Sequence, residues 1–188
     1  EQNDAHLSFS AHKGLLIMPV NGKIINLYGE YKNPKYNITN FRSGIDIKAD
    51  QGEPIRSVFK GKVIYSEWFK GYGNMIIIDH GNSYYTVYAH LEETFKSRGD
   101  TVDAGEVIAT LGDTGSTTGA KLYFEVRHHG RPMNPLNWLK KEFPGNSTII
   151  LSIKTIHVPF QIQQVFYRTQ CAADSHHIPA AGLHRDQL

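Results

Sequence analysis

The sequence predicts an all-β domain, mainly antiparallel, folded as a compact β-sandwich or partly closed barrel, and three observations carry that expectation. Short apolar runs rich in β-branched and aromatic residues recur from Gly14 onward. Gly, Asn, Asp and Pro punctuate them in the manner of tight turns. Apart from a short stretch after Asn134, no apolar period near 3.6 residues is sustained, so there is no amphipathic helix for a sheet to pack against.

Residues Glu1 to Lys13 are polar and irregular and read as the end of a linker, with His6 and His12 in water. Strands are expected over Leu15–Val20, Lys23–Tyr28, Ser43–Lys48 and Ile55–Phe59, each a short apolar run closed by turn residues. Lys62–Trp68 and Asn74–Asp79 flank Gly71-Tyr72-Gly73, a hairpin tip whose tyrosine should be exposed. Asp79-His80-Gly81-Asn82 is a hairpin signature leading into Tyr84–His90, which gives His80 a structural role. Val107–Leu111 and Lys121–His128 follow, joined by a long loop through Gly112-Asp113-Thr114-Gly115 that lacks the Gly-Lys-Ser/Thr of a phosphate loop. His128 and His129 then fall in a turn before Gly130. The domain is therefore placed at residues 14–141. Residues 142–188 form an irregular C-terminal extension in which Ser147–Tyr167 alternates enough for a strand or two and Arg168 to Leu188 reads as disordered.

A chain of 188 residues holds one ordinary domain. With 20 basic and 18 acidic side chains and no dense basic block, nucleic acid is a poor partner. No run approaches the length of a membrane span, and no basic-then-apolar leader opens the chain, which begins at Glu1 like an excised or mature piece. One cysteine, Cys171, excludes an internal disulfide framework, and its neighbours His176 and His177 lack a scaffold for a metal. Ten histidines remain to be explained, because imidazole is both a common metal ligand and a proton carrier near neutral pH.

Three segments bear on that question: Arg42-Ser43-Gly44-Ile45-Asp46, Tyr88-Ala89-His90-Leu91, and Lys121-Leu122-Tyr123-Phe124-Glu125-Val126-Arg127 followed by Asn134-Pro135. In that order, with Gly105-Glu106-Val107-Ile108 and the Gly112 loop between the last two, they resemble the LytM or lysostaphin-type family of zinc peptidoglycan endopeptidases over about residues 15 to 141. The resemblance implies a LytM-type β fold and, in active members, a zinc held by a His, an Asp and a second His, with two further histidines handling water and developing charge. Those positions fall here on Arg42, Asp46, His90, Lys121 and Tyr123, so only Asp46 and His90 persist, as vestiges.

The substitutions have a chemical meaning of their own. A hydrolytic zinc needs three protein donors and an open position. Arg42 has no lone pair, Tyr123 is a poor substitute for imidazole, and Lys121 adds a second positive charge that opposes a dication. No cofactor is therefore expected, the zinc site being lost. A strand's period of two places Leu122, Phe124 and Val126 in the core and Lys121, Tyr123, Glu125 and Arg127 along the cleft. The same period puts Arg42 and Asp46 on one face, close enough for an ion pair, and Tyr84, Thr86, Tyr88 and His90 on another.

A cleft lined by Arg42, Tyr72, Tyr88, Lys121, Tyr123 and Arg127 suits binding better than hydrolysis, since Tyr and Arg dominate binding hot spots. The resemblance is nearest to degenerate LytM domains of EnvC type, which implies a non-catalytic, periplasmic or cell-envelope domain that activates a peptidoglycan N-acetylmuramoyl-L-alanine amidase in cell separation. It implies an amidase as partner and peptidoglycan as a second candidate ligand. The alternatives are a zinc metalloendopeptidase acting on cross-links and a peptidoglycan-binding module.

Overall fold

The structure, a computed structural model, describes residues 8–33 and 37–141. Expectations for residues 1–7 and for the extension at 142–188, including Cys171, His176 and His177, lie outside the described residues.

The described part is nearly all β, and every strand pairing is antiparallel. The strands are β1 (Lys23–Asn26), β2 (Gly29–Asn33), β3 (Ile38–Arg42), β4 (Ile45–Lys48), β5 (Pro54–Arg56), β6 (Gly61–Phe69), β7 (Gly73–Asp79), β8 (Tyr84–Thr94), β9 (Thr101–Val102), β10 (Val107–Leu111), β11 (Leu122–His128) and β12 (Arg131–Met133). The main sheet runs in the order β1-β4-β11-β8-β7-β6-β9, with β10 pairing β5 and β8, and β12 pairing β11. It is open rather than closed into a barrel. Strands β2 and β3 form a separate two-stranded arm.

Period-two alternation organises the sheet. Ile76, Ile78, Tyr88, Leu122, Phe124 and Val126 point into the main core, where they meet Val58, Phe59, Leu111 and Trp138. Met75, Val87, Ala89 and Tyr123 point the other way and form a smaller cluster with Tyr65, Tyr72 and Ile77. This second, partly apolar face borders a groove that the other described residues do not fill.

Several expectations change. Leu15–Val20 is not a strand; only Leu16 bridges, to Leu139, and Leu15 and Ile17 are exposed on either side of it. The arm β2–β3 was not expected, because Gly29–Asn33 and its partner are largely polar and face water on both sides. Strands β9 and β12 are too short to leave a pattern.

His80 is structural, as its turn suggested, but it is also half-buried, with both ring nitrogens engaged. Its Nδ1 donates to the Lys60 carbonyl (2.8 Å), which leaves Nε2 to accept from the Thr86 hydroxyl (2.7 Å). Phe9 stacks on the ring at 4.7 Å. Burial lowers the His80 pKa from 6.5 to about 4. A histidine depressed in this way takes up its proton in the unfolded chain first, so its contribution to stability is present above pH 6.5 and is lost as pH falls toward 4. Between pH 7 and pH 5 the domain should lose about 2 kcal/mol on this account. Denaturant titration at the two pH values checks it, and His80→Phe should flatten the dependence.

Candidate functional site

The positions singled out by motif converge at one end of β11. Strand β4 pairs β11 with Asp46 opposite Tyr123, and β8 pairs β11 on its other side with Ala89 opposite Tyr123. Gly44 makes the first approach possible: a Cβ there would lie 2.4 Å from the Phe124 carbonyl oxygen. Gly73 does the same for the Gly71-Tyr72-Gly73 turn. It has φ +67°, and a Cβ would meet the Thr114 carbonyl at 2.1 Å. Tyr72 thus sits on a pinned turn, its carbonyl accepting from the His90 backbone N–H at 2.9 Å.

Asp46 is 4% exposed, and its Oδ2 accepts from Asn26 Nδ2 (2.7 Å) and Lys121 Nζ (3.0 Å). The ion pair expected between Arg42 and Asp46 is replaced by Lys121–Asp46. The reason is local: β3 ends at Arg42 and β4 begins at Ile45, so the Ser43-Gly44 bend interrupts the alternation that placed the two on one face. Arg42 instead lies over the Tyr31 ring, 4.3 Å from its centroid, and donates to the Leu27 carbonyl at 3.4 Å.

Alternation along β8 also fails, at His90, whose φ of +64° turns it onto the cleft side with Val87 and Ala89. Tyr84, Thr86 and Tyr88 stay behind. Tyr88, expected in the groove, is a core residue with no exposure; its hydroxyl accepts from the Val58 N–H at 3.0 Å. His90 Nδ1 is 2.9 Å from the Thr114 carbonyl. Burial, reinforced by the Lys121 charge, pushes its pKa down, so the ring is neutral at pH 7.

On β11 the expected alternation holds. Tyr123 donates its hydroxyl to Glu125, Arg127 Nε donates to the other oxygen of the same carboxylate, and Glu125 is 1% exposed. Burial and the neighbouring Glu125 push the Tyr123 phenol up, so it remains protonated. Its ring meets Tyr72 edge-on at 5.3 Å.

These residues line two adjoining concavities rather than one. A polar cleft of about 280 Å³ is walled by Tyr31, Phe41, Arg42, Asp46, Tyr72, His90, Lys121 and Tyr123. An apolar groove of about 510 Å³ runs across the second face of the sheet over Ile64, Phe69, Met75, Ile77 and Val87, with Glu125 and Arg127 on one side. Tyr72 lines both. Of the residues expected in one groove, Arg42, Lys121 and Tyr123 border the cleft, Arg127 borders the groove, and Tyr88 borders neither.

The cleft does not suit zinc. Asp46 is taken up by Lys121 and Asn26, Tyr123 is committed to Glu125, and Arg42 and Lys121 are cations. Among the described residues no group of three or more His, Cys, Asp and Glu side chains is placed to hold a metal ion. Tyr31 and Phe41, which reach the cleft through the arm, and Asn26, which reaches Asp46 through the β1–β4 register, leave no signal in the sequence. Glu125 was legible, as the carboxylate between Tyr123 and Arg127 on one face.

Comparison with known proteins bears on the family and the fold. The model of peptidase family M23 matches residues 40–135. The murein hydrolase activator NlpD of Salmonella dublin is 36% identical over 140 residues, 74% of this chain and 35% of NlpD. The murein hydrolase activator EnvC of Escherichia coli strain K12 is 32% identical over 129 residues, 69% of this chain and 30% of EnvC. Among solved structures, a zinc-containing peptidase from Vibrio cholerae superposes with a TM-score of 0.62 at 30% identity, covering 70% of this chain and 41% of the peptidase. The chain spans about a third of the length of these curated relatives.

Proposed function

The chain belongs to peptidase family M23, and from that footing we propose that it is a non-catalytic domain of the cell envelope that binds and activates a peptidoglycan N-acetylmuramoyl-L-alanine amidase during cell separation. The observation that supports this reading is an Arg42–Tyr31 contact, a Lys121–Asp46 ion pair and a Tyr123–Glu125–Arg127 network, which engage the positions that the family resemblance assigns to metal binding, beside an apolar groove. The names of NlpD and EnvC as murein hydrolase activators support it.

A groove of this size and lining accepts one amphipathic helix or extended segment, with apolar side chains over Ile64, Ile77 and Val87. A segment of the amidase that otherwise covers its own active site is the occupant. Capture in the groove shifts the enzyme toward its open state by as much as the groove binds the released segment. Catalytic chemistry then belongs to the amidase, and this domain supplies binding energy alone.

The likeness to a zinc-containing peptidase keeps a second reading in view, hydrolysis of wall cross-links by the domain itself. Metal analysis separates the two. After incubation with zinc and desalting, the purified protein is expected to retain far less than one zinc per chain and to leave purified sacculi intact. Stoichiometric zinc together with cleavage of sacculi establishes the hydrolase.

A further inference from the structure

We propose that the polar cleft is a receptor for a single acidic side chain, Asp or Glu, carried by the partner segment that docks in the adjoining apolar groove, with Arg42 as the group that receives the carboxylate. The proposal rests on the binding reading above and adds to it a charge requirement on the partner.

The first support is the balance of charge. Among the described residues four potentially charged side chains line the cleft: Arg42, Lys121, Asp46 and His90. Lys121 and Asp46 neutralise each other at 3.0 Å. His90 is neutral, its Nδ1 committed to the Thr114 carbonyl. Among the described residues Arg42 is left as the unbalanced charge, and the cleft they line carries a net positive charge.

The second support is the unused valence of Arg42. A guanidinium has five N–H donors in a planar fork, and here it makes one long contact to the Leu27 carbonyl (3.4 Å) and a stack on Tyr31. Contact with the Tyr31 ring restrains the guanidinium, whose planar fork can receive a carboxylate in bidentate fashion. Among the described residues no carboxylate pairs with it.

Size and position complete the case. A cleft of about 280 Å³ is at the small limit of ligand pockets and suits one side chain rather than a glycan strand. It adjoins the groove at Tyr72, so a residue at the end of a groove-bound segment lies beside it. The groove supplies apolar contact area, and the cleft fixes register by rejecting segments that bring no negative charge.

The test measures stimulation of the organism's own amidase on dye-labelled sacculi by the whole chain, as wild type, Arg42→Gln and Arg42→Lys. Arg42→Gln is expected to raise the half-stimulating concentration roughly 10- to 100-fold, the cost of one charge-assisted hydrogen-bonded pair. Arg42→Lys, which keeps the charge without the fork, should fall between. Raising salt from about 0.05 M to 0.3 M should weaken wild type more than Arg42→Gln. Matching circular dichroism spectra show that the variants fold. If wild type stimulates and Arg42→Gln stimulates equally at every salt concentration, the carboxylate receptor is overturned while the activator reading stands. Loss of binding to purified sacculi by Arg42→Gln with stimulation unchanged overturns it in favour of a wall-peptide carboxylate. Absence of stimulation by wild type removes both readings.

Discussion

Replacing Tyr72 with alanine is expected to abolish amidase stimulation at concentrations where wild type is saturating, with a shift of roughly 30-fold or more in the half-stimulating concentration. Among the described residues Tyr72 is the one side chain that lines both the polar cleft and the apolar groove. Its ring stands between Phe69 at 5.9 Å and Tyr123 at 5.3 Å, on a turn held in place by Thr114 and His90. A rigid aromatic at the centre of a binding surface is the usual carrier of binding energy, about 2–4 kcal/mol on truncation. The fold draws little from it, because Tyr72 lies outside the main core. Thermal melting should therefore change by less than about 1 kcal/mol in equivalent stability. Dose-response curves for stimulation, measured beside melting curves, check both halves. A large fall in stability accompanying the loss of stimulation would assign Tyr72 to the scaffold instead.

The largest effect on stability is expected at Glu125. Its buried carboxylate is held by the Tyr123 hydroxyl on one oxygen and Arg127 Nε on the other. Glu125→Ala leaves a phenol and a guanidinium without their acceptor and opens a small cavity. Breaking such a pair costs about 2–4 kcal/mol, toward the lower part of the range for buried pairs because Arg127 is 38% exposed and turns to water. Equilibrium urea unfolding measures it. The double variant Glu125→Gln with Arg127→Met removes both charges together and should recover much of the loss, since no uncompensated charge remains. The same pairing makes charge reversal at Arg127 a poor probe of partner binding: it sets two carboxylates side by side at a buried position, and loss of function would report on the fold. The aromatic turn at Tyr72 and the stacked Arg42 are cleaner probes.

The sequence carried the class of fold further than its connectivity. Alternation along Lys121–Arg127 predicted which side chains enter the core and which face away from it, and the structure follows that division, with Lys121 and Tyr123 at the cleft and Glu125 and Arg127 at the groove. The same rule failed twice, each time where the backbone breaks its period. At Ser43-Gly44 a bend separates Arg42 from Asp46 and hands the aspartate to Lys121. At His90 a positive φ moves the imidazole across the sheet and leaves Tyr88 in the core. Neither break has a local signature strong enough to read: histidine enters the left-handed region more readily than most residues, but too seldom to mark one position within a strand. The arm β2–β3 was hidden for a different reason: a polar hairpin exposed on both sides has no apolar periodicity. Its Tyr31 and Phe41 nevertheless form one wall of the cleft. The division of a single expected groove into a charged cleft and an apolar trough depends on long-range register, between β1 and β4 for Asn26 and between β7 and β8 for the trough, which no local pattern encodes.

The most direct measurement is release of dye from labelled sacculi by the organism's peptidoglycan amidase, with and without this protein. The account predicts that the amidase alone is slow, that this protein alone releases nothing, and that the two together release dye at a rate that saturates with increasing protein. Dye release by this protein alone in the presence of zinc, or an amidase rate indifferent to its addition, would contradict it.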